Sequence, residues 1–262
     1  MPLTYPHAAR SNLDRMNAQP KNATGHHAPG AYGMEVFGLT RTGNAPLRRV
    51  SFVARRGETT VLLSPDGSGG AALRAALGFE PVDSGFSVIE GRRFVPRSGP
   101  EPVSDPERVG VLLRDPIVTP GRTLDEHLRQ GLLPDHRGAL GQAEVQELRD
   151  SLGFMGAGTA IVSELPLSLQ YRVAIGRAIA ARPAIVAADD PYGGLPERER
   201  HLLVSLLRAV ASEHGIGVVH ATGDVDLATR ANHVVVIEGG RVTNDLRGTL
   251  RVQRLLGRHA RS

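Results

Sequence analysis

The stretch LLSPDGSGGAALRAALG, Leu62 to Gly78, constrains the fold of this chain more than any other. An apolar run meets Pro65, Asp66 and Gly67; an alanine- and leucine-rich segment then follows and closes at Gly78. That order predicts a buried strand, a tight turn and a helix. Gly67 and Gly69 let the backbone gather its N–H groups at the helix start, a nest suited to phosphate. Such a loop ends in a lysine, which reaches the terminal phosphates, and then a serine or threonine, which holds Mg²⁺. Here those two positions read Gly70 and Ala71. The chain has the backbone of a phosphate loop without two of its side chains.

The rest of the chain supplies a matching frame. Residues 1–30 are polar and aperiodic and read as a disordered leader. From Tyr32 onward, MEVFGLT, LRRVSFVAR, ETTVLLS, SGFSVIEGRRF and RVGVLLRD read as strands, the third and the last as buried ones. TLDEHLRQGL, QAEVQELRDSLG and VAIGRAIAA read as helices. So does PERERHLLVSLLRAVASEHG, with Pro196 in its first turn, Leu202, Leu203, Leu206 and Val210 as its apolar stripe, and Gly215 at its end. The strands AIVAADDP, IGVVHAT and HVVVIEGG alternate with them, which implies an α/β fold with a mostly parallel sheet. With 262 residues, 40% of them hydrophobic, the chain can bury a real core. The absence of cysteine excludes disulfides, zinc–thiolate sites and thiol catalysis, and fits a cytoplasmic setting. No apolar stretch is long enough to cross a bilayer, and the N-terminus lacks the apolar core of a signal peptide.

Four phrases, in order and correctly spaced, give the chain a family likeness: LRRVSFVARRGE, LGFEPVDSGFSVIEGRRF, RVAIGRAIAARPAIVAADDP and HVVVIEGGRV. From about Gly33 to Val242 the sequence resembles the ATP-binding subunit of ABC transporters. The resemblance implies a P-loop NTPase core with a mostly parallel sheet, an N-terminal antiparallel β subdomain and an inserted helical subdomain. On this division residues 31–245 form the ATPase-like domain, about 116–170 its helical insert, and 246–262 a basic C-terminal helix or tail.

The resemblance also assigns functional positions. The phosphate loop is Ser64, Pro65, Asp66, Gly67, Ser68, Gly69, Gly70 and Ala71. Thr42-Gly43 stands where the family places an aromatic under the adenine, and Tyr32 is the nearest aromatic upstream. The glutamine that helps hold Mg²⁺ and the attacking water is replaced by Arg114, a permanent cation. The signature aligns with Leu165, Pro166, Leu167, Ser168 and Leu169, in which Pro166 takes the place of the serine, and Leu167 and Ser168 those of the glycines, that clamp a phosphate on the opposite subunit. Asp189 occupies the metal-coordinating position. Asp190 replaces the usual glutamate base with a side chain one methylene shorter. The plainer reading is that these acids cap the sheet edge or pair with an arginine. Pro196 takes the place of an aspartate that communicates across the dimer, and Gly223 that of the switch histidine, while His220 lies inside the strand. Arg74, one turn beyond Gly70, either curls toward a phosphate or is a surface arginine.

These substitutions lead to an expected function: a catalytically inactive pseudo-ATPase that docks on a membrane permease, through a groove at about 114–150, or on an active ATP-binding subunit as a homo- or heterodimer. ATP and Mg²⁺ are implied by the family, with binding expected to be weak or absent. The alternatives are a regulatory, protein-binding module without nucleotide, or a weak ATPase using Asp190. The expected location is the cytoplasmic face of the membrane. Arg247, Arg251, Arg254, Arg258 and Arg261 recur at helical spacing and suit an anionic membrane surface or a solvated helix face. Nucleic acid is disfavoured, because the net charge is only +4 and aromatics are 4% of the chain.

Overall fold

A computed structural model describes residues 31–95, 108–136, 141–192, 194–248 and 252. The leader at 1–30 and Arg251, Arg254, Arg258 and Arg261 lie outside the described residues. Two sheets sandwich one helix. The first is antiparallel, in the order β2 (Leu47–Arg55), β1 (Tyr32–Arg41), β4 (Ser84–Ile89), β5 (Arg92–Phe94). The second is in the order β10 (Arg241–Arg247), β9 (His233–Glu238), β3 (Thr59–Leu63), β8 (Gly217–Thr222), β7 (Ile185–Asp189), β6 (Val109–Leu112). All its pairings are parallel except β9 with β10. Strand β3 is buried along its whole length, as a central parallel strand covered on both faces must be.

Helix α1 (Ser68–Ala76) fills the space between the sheets. Its run of small residues makes that possible: every residue in it is buried except Arg74. Ala71, Ala72, Ala75 and Ala76 share a core with Met34, Val36 and Phe52 on one side and Leu62, Ala187 and Val219 on the other. The opposite face of the large sheet is covered by α4 (Leu167–Ile179) and α5 (Glu197–Glu213), with α2 (Leu124–Gly131) and α3 (Gly141–Ser151) packed beyond. Thr123 and Glu126 close the start of α2 as a reciprocal capping box. A four-residue helix, α6 (Val225–Ala228), follows β8 and is capped by Asp224.

Close backbone approaches fix α4 in place. A methyl group at Gly110 of β6 would collide with the Ala178 carbonyl, one at Gly131 of α2 with the Arg177 carbonyl, and one at Gly176 with Leu152 and Leu128. Among the described residues no helix is long and apolar enough to cross a membrane.

Three local expectations change. The buried stripe of α5 is Leu203, Val204, Leu207, Val210 and Ala211, whereas Leu202 is 55% exposed. Leucines at 202, 203, 206 and 207 make two adjacent apolar faces of equal spacing, and packing against the sheet selects one. Strand β6 is not wholly buried, because Val111 faces outward. Leu246 and Arg247, read as the start of a terminal helix, are the last residues of β10, with Leu246 paired to Val234 and Arg247 to His233. The antiparallel partner β9 decides this, since it supplies a ladder that helical arginine spacing cannot reveal.

Candidate functional site

The loop between β3 and α1 is held by its own side chains. Ser64 N–H donates to the Thr222 carbonyl of β8 at 2.9 Å, and Gly67 turns the chain at φ 77°. The Asp66 carboxylate accepts from the Ser68 hydroxyl at 2.6 Å, the Ser68 N–H at 3.0 Å and the Ser64 hydroxyl at 2.9 Å. Its other oxygen accepts the Gly239 N–H, from the turn between β9 and β10, at 2.7 Å. The Ser64 hydroxyl in turn accepts the Gly69 N–H at 2.8 Å. Hydrogen bonds from Ser68, aided by Gly239 and Ser64, hold the Asp66 carboxyl far below the usual carboxylate range. Backbone donors that would face a phosphate thus face Asp66 and Ser64.

Beyond the loop lies a chain of charges. Asp189, at the end of β7, pairs with Arg74 of α1. The Arg74 Nε donates to Glu80 at 2.6 Å, and Glu80 also pairs with Arg41 at the end of β1. Burial opposes the Glu80 charge, but the guanidiniums of Arg41 and Arg74 outweigh it and hold its carboxyl below the ordinary value. Gly70 sits against this pair: a methyl group there would collide with the Asp189 carboxylate and lie 3.1 Å from Arg74 Nη1. Ala71 is buried in the core beneath it. Gly70 and Ala71, the positions expected for the lysine and the hydroxyl, are both buried in the first turn of α1.

The structure gathers some of the other positions and separates the rest. Gly223 lies over the loop, where an added Cβ would be 3.6 Å from the Pro65 Cα and the Ser64 carbonyl. Asp190 is exposed at φ 43°, its N–H bonded to the Ala221 carbonyl at 2.9 Å. Arg114 is exposed, and its carbonyl accepts from the Tyr171 hydroxyl at 2.7 Å. Leu165 and Pro166 precede α4, while Leu167, Ser168 and Leu169 form its first turn. No hydrogen bond or ion pair among the described residues links these five to the phosphate loop. Thr42 donates its N–H to Asp83 at 2.8 Å. Tyr32 is the first residue of β1, under the Arg55 guanidinium at 5.8 Å.

Sequence reasoning missed two groups. One is the Arg41–Glu80–Arg74–Asp189 relay, whose Arg74 and Glu80 flank the Gly78 that ends the helix. The other is a buried aromatic stack. Tyr171 meets Tyr192 edge-on at 5.3 Å, and Tyr192 meets His220 at 6.3 Å. Tyr192 is held at φ 72°, and neither its hydroxyl nor His220 Nε2 has a partner among the described residues. Burial pushes the His220 imidazole down to about 4.

A second surface lies at the other edge of the sheet. A groove of about 440 Å³ runs between β6, the segment after it, and α4, with Phe79, Val111, Leu113 and Ile117 exposed along it. Arg177 donates to the Ile117 carbonyl at 2.8 Å and pins that segment to α4.

Comparison with known proteins agrees with this geometry. Residues 47–193 match the family described as ABC transporter. The chain is 35% identical over 205 residues to the Fe(3+) ions import ATP-binding protein FbpC of Streptomyces avermitilis, a match that covers 76% of this chain and 57% of that protein. It therefore spans little more than half the length of that relative. It is 31% identical over 193 residues to the aliphatic sulfonates import ATP-binding protein SsuB 2 of Rhizobium johnstonii, covering 73% and 70% of the two chains. The structure of cbiO1 from Clostridium perfringens, part of the ABC transporter complex cbiONQ, superposes with a TM-score of 0.71 at 21% identity, over 87% of this chain and 92% of that one. On the family match and these relatives, the chain belongs to the ABC transporter family and carries its ATP-binding domain.

Proposed function

We propose that this chain is a pseudo-ATPase: an ATP-binding-subunit homologue that keeps the scaffold and docks on a membrane permease without turning over ATP. The observation that carries this reading is the ion pair of Asp189 with Arg74 across Gly70. The carboxylate of the metal position is engaged by a fixed cation, and the lysine slot has no room for a side chain while that pair stands. The residues present do not fit a magnesium–triphosphate group. Gly70 offers no charge, Ala71 no hydroxyl, and the loop's N–H groups of Ser68 and Gly69 are bonded internally. A lost charge-assisted contact is worth about 1.5–3 kcal/mol. Micromolar-to-millimolar affinity amounts to only about 8 to 4 kcal/mol. Two lost contacts consume most of that.

The groove beside β6 is the surface proposed for the permease. Relatives named as import ATP-binding proteins work as parts of transport systems, and the exposed Phe79, Val111, Leu113 and Ile117 present an apolar face for a segment of a membrane partner. The chain would then sit at the cytoplasmic face of the membrane, beside an ATP-binding partner subunit.

The test is calorimetric titration of the purified chain with ATP to millimolar levels, with and without Mg²⁺. The expected result is no Mg²⁺-dependent binding. Binding that requires Mg²⁺, with ATP hydrolysis then seen in a phosphate-release assay, overturns the reading and returns Asp189 and Asp190 to a weak ATPase.

A further inference from the structure

The hairpin of β1 and β2 breaks its alternation at one point. Leu39 pairs with Val50 and Arg41 with Leu47, so one residue of β1 faces two of β2. The two are Arg48 and Arg49, both exposed between the buried Leu47 and Val50. A bulge of this kind re-aims side chains that strict alternation would send to opposite faces. Arg49 is held at φ 57°, and Ala45 in the same hairpin at φ 51°, a conformation that side-chain-bearing residues rarely adopt. Strain of this sort clusters where a structure holds a ligand.

A second turn completes the feature. The Arg48 N–H donates to the Gly240 carbonyl at 2.7 Å, and a methyl group at Gly240 would collide with the Pro46 carbonyl. Glycine alone allows this approach, which brings Arg241 beside the bulge. The result is a recess of about 700 Å³ walled by Arg41, Arg48, Arg49 and Arg241 above Thr42 and Gly43. Among the described residues no carboxylate lines it. The Asp83 carboxylate accepts the N–H of Thr42, one of the lining residues. Arg41 is already engaged, by the Ala45 carbonyl at 2.7 Å and by Glu80. The side chains of Arg48, Arg49 and Arg241 have no ion pair or hydrogen bond among the described residues.

Three exposed guanidiniums brought to one recess by a bulge and a tight turn give it an unbalanced positive potential. The volume lies in the range of small-ligand sites. Guanidinium forks match phosphate oxygens in pairs. We propose that this recess is a binding site for a compact, multiply charged anion of the phosphate type. It takes in Thr42 and Gly43, expected at the adenine end of a bound nucleotide, so an anion here would compete with a base and not with the phosphates held by the loop.

Isothermal calorimetry of the whole chain at low salt, with inorganic pyrophosphate as the probe, tests it. The expected result is binding that weakens as salt is raised. R48Q/R241Q, which keeps the packing stems, is expected to weaken it at least about tenfold. R49G places a glycine where the backbone already suits one, so it is expected to lose affinity about tenfold with an unchanged or raised melting temperature. Adenosine, which has a base and no phosphate, is expected to give no heat. Three results would overturn the proposal: no binding of pyrophosphate at low salt, equal affinity in R48Q/R241Q, or adenosine binding as tightly as pyrophosphate.

Discussion

At position 70 an added methyl group would meet the ends of two side chains, Asp189 and Arg74, and no backbone. Gly70→Ala is therefore expected to push Asp189 away from Arg74 while changing stability by no more than about 1 kcal/mol in urea denaturation, because the exposed pair and the helix preference for alanine offset each other. Restoring the family residues as G70K/A71S is expected to leave ATP binding weak, because Asp189 remains on Arg74. Adding R74A should raise the affinity above that of the double variant, read by calorimetry. His220 gives a pH prediction. Its imidazole is neutral in the fold down to about 4, against about 6.5 in the unfolded chain. The folded value is the lower one, so its contribution is complete above about pH 6.5 and is lost as pH falls toward 4. The slope is up to about 1.4 kcal/mol per pH unit. H220Q should remove that part of the acid sensitivity in thermal melts taken across the window. The sequence makes Gly70, Ala71, Asp189 and Asp190 visible as positions, because a loop is read by spacing. It does not show that Arg74 reaches Asp189, since that contact joins residues 115 apart.

Single elements were legible wherever burial imposes a period. Strands β3, β7 and β8 announce themselves by continuous apolar runs, and α2 by its Thr123–Glu126 cap. Helix α5 shows the limit. Its four leucines satisfy two stripes, and only contact with the sheet separates them. Leu207→Ala is expected to destabilise the fold by about 2–5 kcal/mol, because Leu207 is 2% exposed. Leu202→Ala should stay within about 0.5 kcal/mol. Equal losses in urea denaturation would show that the helix is turned from the face described. The bulge at Arg48 and Arg49 was equally hidden, because a run of two arginines reads as ordinary solvated surface until the partner strand shows the register.

At the scale of the whole molecule, both sheets and the helices around them can be intact while the function depends on a surface. Leu113→Glu and Ile117→Glu, at the apolar groove, are expected to abolish co-purification with a membrane partner without changing the melting temperature. Retained association in both variants would remove the groove from the docking surface. The parallel order of the sheet was readable from alternating strands and helices, whereas the assembly of the groove was not, since it joins β6, the end of α2 and α4. The glycines that hold α4 carry a further meaning. At Gly110 and Gly131 an added methyl group would run into the backbone of α4, and at Gly176 into the Leu152 and Leu128 side chains. At Gly70, Ala71, Arg114 and Gly223 the chain has exchanged the family's reactive groups for others. On the proposed function, tolerance of change is inverted relative to an active ATPase: the chemistry is negotiable and the spacing is not. A pseudo-ATPase of this kind would be read by its partners through its shape.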